Sequence, residues 1–258
     1  MIEYLYVIVF LSNLIIGILL GISGISGFLL PLIYVGFLHL PLRDSLALSF
    51  SAFAVAGVIG SYSYWKFKNM NTRLALFLSI GSLPGAYCGV LLNVLIPDNT
   101  AKLILYSFIL FSGISILFNK NGHKDAMEEP HSSARLLNNK LLVILIGFIT
   151  AVICSLTGAG GPILLVPLLV NLGVNVRVAV GVSLLNSVII AIPAIAGYLT
   201  HSNIGNIIPL ITQSLSGSTI GIVIGVFFAN KVHIRYLRIF IAFITIVSSV
   251  YMLSSFLF

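Results

Sequence analysis

Ten apolar runs, punctuated by glycine, proline and a few charged residues, leave this chain little choice of solvent. A helix crossing a hydrocarbon core of about 30 Å needs roughly 20 apolar residues. Runs near that length fall at about 3–22, 45–64, 73–95 and 101–118, then at about 141–156, 178–199, 206–229 and 235–257. Two shorter runs, about 28–40 and 162–174, cannot cross alone as straight helices, and each follows a Gly-rich break. The chain has 258 residues, 59% hydrophobic and 7% charged. A soluble domain carries about 25% charged residues, because its surface must meet water. The expectation is an all-α polytopic membrane protein whose partner is the lipid bilayer. Its ten segments form two five-segment repeats, 1–118 and 141–258, joined by a polar linker at 119–140.

The charges set an orientation. If all ten segments cross, loops alternate between sides. One side then holds Lys66, Lys68, Arg73, Lys120, Lys124, Arg135, Lys140, Arg177, Lys231, Arg235 and Arg238, and the other holds only Arg43 and Lys102. The positive-inside rule places the richer side, linker included, in the cytoplasm and both termini outside a cell (inner) membrane. This also explains the net charge of +7 without nucleic acid, which is not an expected partner. The start, MIEYLYVIVF, carries Glu3 and no basic residue, so it reads as a first membrane helix and not as a signal peptide. Cys88 and Cys154 lie inside apolar runs and read as buried thiols, the alternatives being a disulfide or a reactive site.

The two halves share residues at a fixed spacing. Ser23-Gly24-Ile25-Ser26-Gly27 matches Thr157-Gly158-Ala159-Gly160-Gly161, 134 positions on. The same offset pairs Arg43 with Arg177, Ser49 with Ser183, Tyr64 with Tyr198 and Asn69 with Asn203. After two residues of slippage, Gly85 and Gly89 pair with Gly221 and Gly225, and Lys102 with Arg238. Five segments is an odd number, so the second repeat is expected to enter the membrane in the opposite sense. That inverted plan recurs in secondary transporters.

The breaks are the candidate binding site. A helix interrupted inside a membrane frees backbone N–H groups that protein, water or ligand must satisfy. The half-helix that follows presents its positive dipole end, which suits an anion without any charged side chain. Ser23, Gly24, Ser26 and Gly27 form one such break, and Thr157, Gly158, Gly160 and Gly161 the other, with Pro162 suited to a first helical turn and Ser23, Ser26 and Thr157 adding hydroxyl donors. The alternative is that these glycines only let helices pack closely. Arg43 and Arg177 either draw anions to two entrances or anchor segment ends by snorkelling. Asn186, inside an apolar run, either meets ligand or bonds a neighbouring helix. The six acidic residues fall in termini, loops or segment edges, and no carboxylate relay is visible. No cluster of His, Asp or Glu points to catalysis, so no catalytic residue, metal ligand or cofactor is expected, and no enzyme.

The stretch Ser155-Leu156-Thr157-Gly158-Ala159-Gly160-Gly161-Pro162-Ile163-Leu164-Leu165-Val166-Pro167-Leu168-Leu169, followed by Gly181-Val182-Ser183-Leu184, resembles the sulfite exporter TauE/SafE family of membrane permeases. A weaker copy runs from Gly24 to Pro31, with Ser26 where the family has glycines. The resemblance implies a small anionic substrate, often sulfur-containing, such as sulfite or an organosulfonate. A secondary transporter exporting that anion is the expected function. A passive anion channel and a non-transporting accessory protein are the alternatives. The glycine-rich ninth run can serve either a homodimer or packing within the chain.

Overall fold

Each apolar run becomes a helix. The computed structural model describes residues 2–23, 26–68, 70–118, 139–202, 207–228 and 234–257, and helix is the only regular structure among them. Gly24, Asn69, Asn203 and nearly all of the 119–140 linker lie outside the described residues. The first half runs α1 (Ile2–Ser23), α2 (Ser26–Phe37), α3 (Leu42–Lys66), α4 (Thr72–Leu95) and α5 (Asp98–Phe118). The second runs α6 (Lys140–Thr157), α7 (Gly161–Asn171), α8 (Val176–Leu199), α9 (Ile208–Phe228) and α10 (Ile234–Leu257). Seven of them, α1, α3, α4, α5, α6, α8 and α9, are long and apolar enough to cross a bilayer, and α10 carries a shorter apolar stretch, Ile239–Ser255. The chain is a multi-pass membrane protein.

Local chemistry marks the helix ends. Asn71, Asn139 and Asn175 precede α4, α6 and α8, and each side-chain oxygen accepts a first-turn N–H, at 3.0, 3.1 and 2.9 Å. Such caps satisfy donors that a helix start leaves open. α2 is irregular: a 3₁₀ turn over Ser26–Phe28, one α-turn over Leu29–Leu32 and a π-turn over Ile33–Phe37. A buried amide fixes it in place. Asn13 of α1 donates to the Val9 carbonyl and the Tyr34 hydroxyl, and accepts from Ser214 of α9. The outer faces carry exposed Leu76, Ile80 and Leu83 on α4 and Phe243, Val247 and Val250 on α10, as lipid contact requires.

Close backbone packing sets the arrangement. On α9, a Cβ added to Gly217 would sit 2.5 Å from the Phe10 carbonyl oxygen, and those added to Gly221 and Gly225 would overlap the carbonyls of Leu14 and Ile18. On α4, a Cβ on Gly89 would sit 2.5 Å from the Val152 carbonyl oxygen, while Gly81 and Gly85 meet the carbonyls of Ile144 and Phe148. Phe10, Leu14 and Ile18 lie 134 residues before Ile144, Phe148 and Val152, so the two interfaces recur at the offsets of the sequence repeat. In both, contacts advance in the same sense along each chain, so α1 runs parallel to α9 and α4 to α6. The ninth-run glycines therefore pack inside the chain, against α1.

At the centre α3 meets α8, the two most enclosed long helices, with 72% and 61% of their apolar windows buried. A Cβ on Gly57 would lie 2.5 Å from Val188, and one on Gly60 would lie 2.8 Å from Leu184. Moving forward along α3 moves backward along α8, so this pair is antiparallel. Beside it, α4 packs on α8 and α9 on α3. The fourth helix of each half therefore belongs to the other half's bundle.

Candidate functional site

The second break is made by backbone conformations that only glycine adopts readily. Thr157 ends α6 because Gly158 follows at φ 68°, its N–H bonding the Cys154 carbonyl at 2.8 Å. Gly160 precedes α7 at φ 73° and ψ 148°. The Cys154 thiol reaches the Gly160 carbonyl at 3.4 Å, and both native cysteines are free thiols. No side chain caps α7 at Gly160, and Pro162 in its first turn has no N–H to satisfy. The remaining first-turn N–H groups have no partner within the helix, and the positive end of an 11-residue helix stands behind them.

The first break is built differently. Ser26 takes the place equivalent to Gly160 without a positive φ, and the α-helical part behind it is only four residues long. A short helix follows each break: α2 begins at Ser26 as a 3₁₀ turn, and α7 begins at Gly161 as a regular α-helix.

One aromatic ring joins the breaks. Phe53 of α3 is buried, with Cε1 2.5 Å from a Cβ built on Gly27 and Cε2 3.3 Å from one built on Gly160. A narrow cleft lies here, with a cavity volume of ≈ 10 Å³, about the room of one water, its walls including Leu20, Gly27, Phe53, Gly160, Pro162 and Ser187. Phe53 lies near the midpoint of α3 and Ser187 near the midpoint of α8, so the cleft sits halfway along helices of crossing length. Its walls are mainly apolar with few polar groups, the usual character of a small-molecule site.

The predicted residues divide into three groups around this cleft. Gly27, Gly160 and Gly161 form its walls or let α8 approach: a Cβ on Gly161 would lie 2.7 Å from the Ser187 hydroxyl. Ser23 and Thr157 were expected to offer hydroxyl donors, but each donates to its own helix, to the Leu19 and Ile153 carbonyls, both at 2.7 Å. Gly158 packs against Leu46 and Pro31. Gly24 lies outside the described residues. Ser26, Ser183 and Asn186 form the second group, buried polar groups whose side-chain atoms have no hydrogen-bond partner among the described residues. Both amide atoms of Asn186 lack a hydrogen-bond partner among the described residues, so no bond to a neighbouring described helix is made.

The arginines stand apart from the cleft. Arg43 donates to the Val94 carbonyl at 3.3 Å and pairs with Asp98 at 3.6 Å, at the edge of the bundle. Arg177 is exposed in the first turn of α8. Asp44 lies at a segment edge, in the first turn of α3, where it is fully buried and accepts from Ser202 at 2.5 Å. Sequence reasoning missed Phe53 and Ser187. The repeat offset of 134 makes them equivalent positions, and each faces the equivalent glycine, Gly27 or Gly161.

The family description "Sulfite exporter TauE/SafE" fits residues 9–252. The chain belongs to the TauE/SafE family. Relatives of this TauE/SafE chain include the probable membrane transporter proteins YdhB and YjnA of Bacillus subtilis (strain 168). YdhB is 24% identical, over 86% of this chain and 90% of its own. YjnA is 25% identical, over 93% and 96%. The probable membrane transporter protein MJ0441 of Methanocaldococcus jannaschii is 27% identical, over 93% and 91%. No solved structure matches the chain. Family and relatives make this protein a membrane transporter.

Proposed function

We propose that this TauE/SafE protein is a secondary carrier that exports a small sulfur-containing anion, sulfite or an organosulfonate, across the cell membrane by alternating access. The observation that carries the reading is the meeting of the two breaks on the Phe53 ring, halfway along α3 and α8. An anion there is held by the α7 N-terminus and neutral dipoles, with Ser26, Ser183 and Asn186 as unpaired polar groups of the same bundle. The antiparallel run of the equivalent helices α3 and α8 supports halves of opposite membrane orientation. The loop charges support a cytoplasmic linker and outside termini. Outward movement of an anion from a negative-inside cell gains about 2.3 kcal/mol per charge per 100 mV, so export needs no coupled ion.

The test is flux of labelled sulfite, methanesulfonate and a carboxylate control in proteoliposomes, with and without imposed voltage. Saturable, voltage-sensitive flux and counterflow of a sulfur anion, lost in Gly161→Leu, are the expected result. Single-channel currents in place of counterflow would replace the carrier by a channel. Absence of flux for every anion would refute the anion reading.

A further inference from the structure

We infer that Phe53 is the specificity-determining residue of this site: its ring closes the first-break side of the cleft and limits the substrate to a small anion held against α7 and Ser187. The inference rests on the transport reading above and assigns the size limit within it.

Three observations carry it. The ring lies between the two breaks, against Gly27 on one edge and Gly160 on the other, so it fills the space that separates them. It is held from behind: Phe53 meets Phe50 edge-on at 5.7 Å, Phe50 stacks on Tyr198 at 6.1 Å, and the Tyr198 hydroxyl donates to the Ser155 carbonyl of α6 at 2.6 Å. A ring packed this way does not swing aside without disturbing contacts on three helices. Finally, the repeat supplies an internal comparison. The position equivalent to Phe53 is Ser187, which faces Gly161 with a hydroxyl that donates to the Ser183 carbonyl at 2.9 Å. At matching places the two halves present a bulky ring and a small polar group. The cleft is therefore faced by a bulky apolar ring from one repeat and by a small hydroxyl side chain from the other.

The chemistry that follows is a size limit at the ring end. An alkyl chain on the anion would run toward Phe53, and each methylene beyond the available space is rejected. The experiment is competition by straight-chain alkanesulfonates of increasing length against labelled methanesulfonate flux in proteoliposomes. It compares the wild-type chain with Phe53→Leu and with Phe53→Ser, which copies the equivalent position. Wild type should show a sharp cut-off at short chain length. Both variants should move the cut-off to longer chains, Phe53→Ser furthest, with inhibition by the first excluded homologue strengthened roughly tenfold or more. Because the readout is a ratio between competitors, a general loss of folding or rate does not imitate it, and Phe53→Leu keeps the core apolar if Phe53→Ser folds poorly. An unchanged cut-off in a variant that still transports methanesulfonate overturns the assignment. No flux of any sulfonate by wild type overturns the transport reading instead.

Discussion

Replacing Gly89 or Gly217 by alanine should destabilise the protein, although alanine is the better helix former by about 1 kcal/mol. In each case the new Cβ would lie 2.5 Å from a backbone carbonyl oxygen of the partner helix, where ordinary contact begins at 3.4 Å. The helices must separate by the difference, about 0.9 Å, and backbone cannot rotate aside as a side chain can. Overpacking of this kind costs roughly 1–3 kcal/mol, which leaves a net loss of about 0–2 kcal/mol. For a chain of this size that is a drop in Tm of up to roughly 8 °C. The assay is thermal denaturation of the purified protein in detergent, followed by fluorescence-detected size exclusion. Gly113→Ala is the internal control, since its neighbours at 3.0 Å are side-chain atoms of Ile246 and Thr245 that can shift. If Gly89→Ala and Gly217→Ala melt at or above wild type while remaining folded, the close backbone contact is not what holds α4 to α6 and α1 to α9.

Three further outcomes follow from the same geometry. With Cys88 and Cys154 replaced by alanine, the pair Gly60→Cys and Leu184→Cys across α3 and α8 should stop counterflow on oxidation and regain it on reduction; undiminished flux in the oxidised protein would show that α3 and α8 need not move apart. Asn186→Leu should raise Tm, because it removes two buried unpaired polar atoms whose desolvation costs about 1–3 kcal/mol, while lowering sulfonate flux at least roughly tenfold; a lower Tm would mean that the amide is satisfied. Arg43→Gln should leave the half-saturating substrate concentration unchanged and lower Tm only slightly, since an ion pair with an exposed carboxylate, such as Arg43–Asp98, is worth about 0–1 kcal/mol; a large rise in that concentration would place the guanidinium on the substrate's path.

The helices were legible because each apolar run is its own signal, set by the thickness of a bilayer and not by distant partners. The breaks were legible for a similar reason: Gly158 and Gly160 occupy backbone regions that other residues avoid, so the motif reports its own geometry. Side-chain roles were harder to read. Ser23 and Thr157 looked like free donors, yet a helical hydroxyl readily bonds the carbonyl four residues back, and both do. Phe53 gave no signal, since one phenylalanine in an apolar run resembles any other until its neighbours in space are known. The burial of Asp44 was equally hidden, because it depends on Ser202, 158 residues away.

Under the proposed alternating access, identical halves would make the inward-open and outward-open states equal in energy, and neither direction would be favoured by the protein itself. The departures from symmetry are therefore the informative residues. Ser26 stands opposite Gly160, and Phe53 opposite Ser187. Asp44, tied to Ser202, stands opposite Val178, which has no polar group with which to make an equivalent bond. That bond links the start of α3 to the loop after α8, one end of each half, and its counterpart at the other end is missing. A carrier that repeats its backbone and varies these few side chains keeps the exchange of conformations that the repeat permits. Under the same proposal, these few side chains would set what fits in the cleft and which end holds shut.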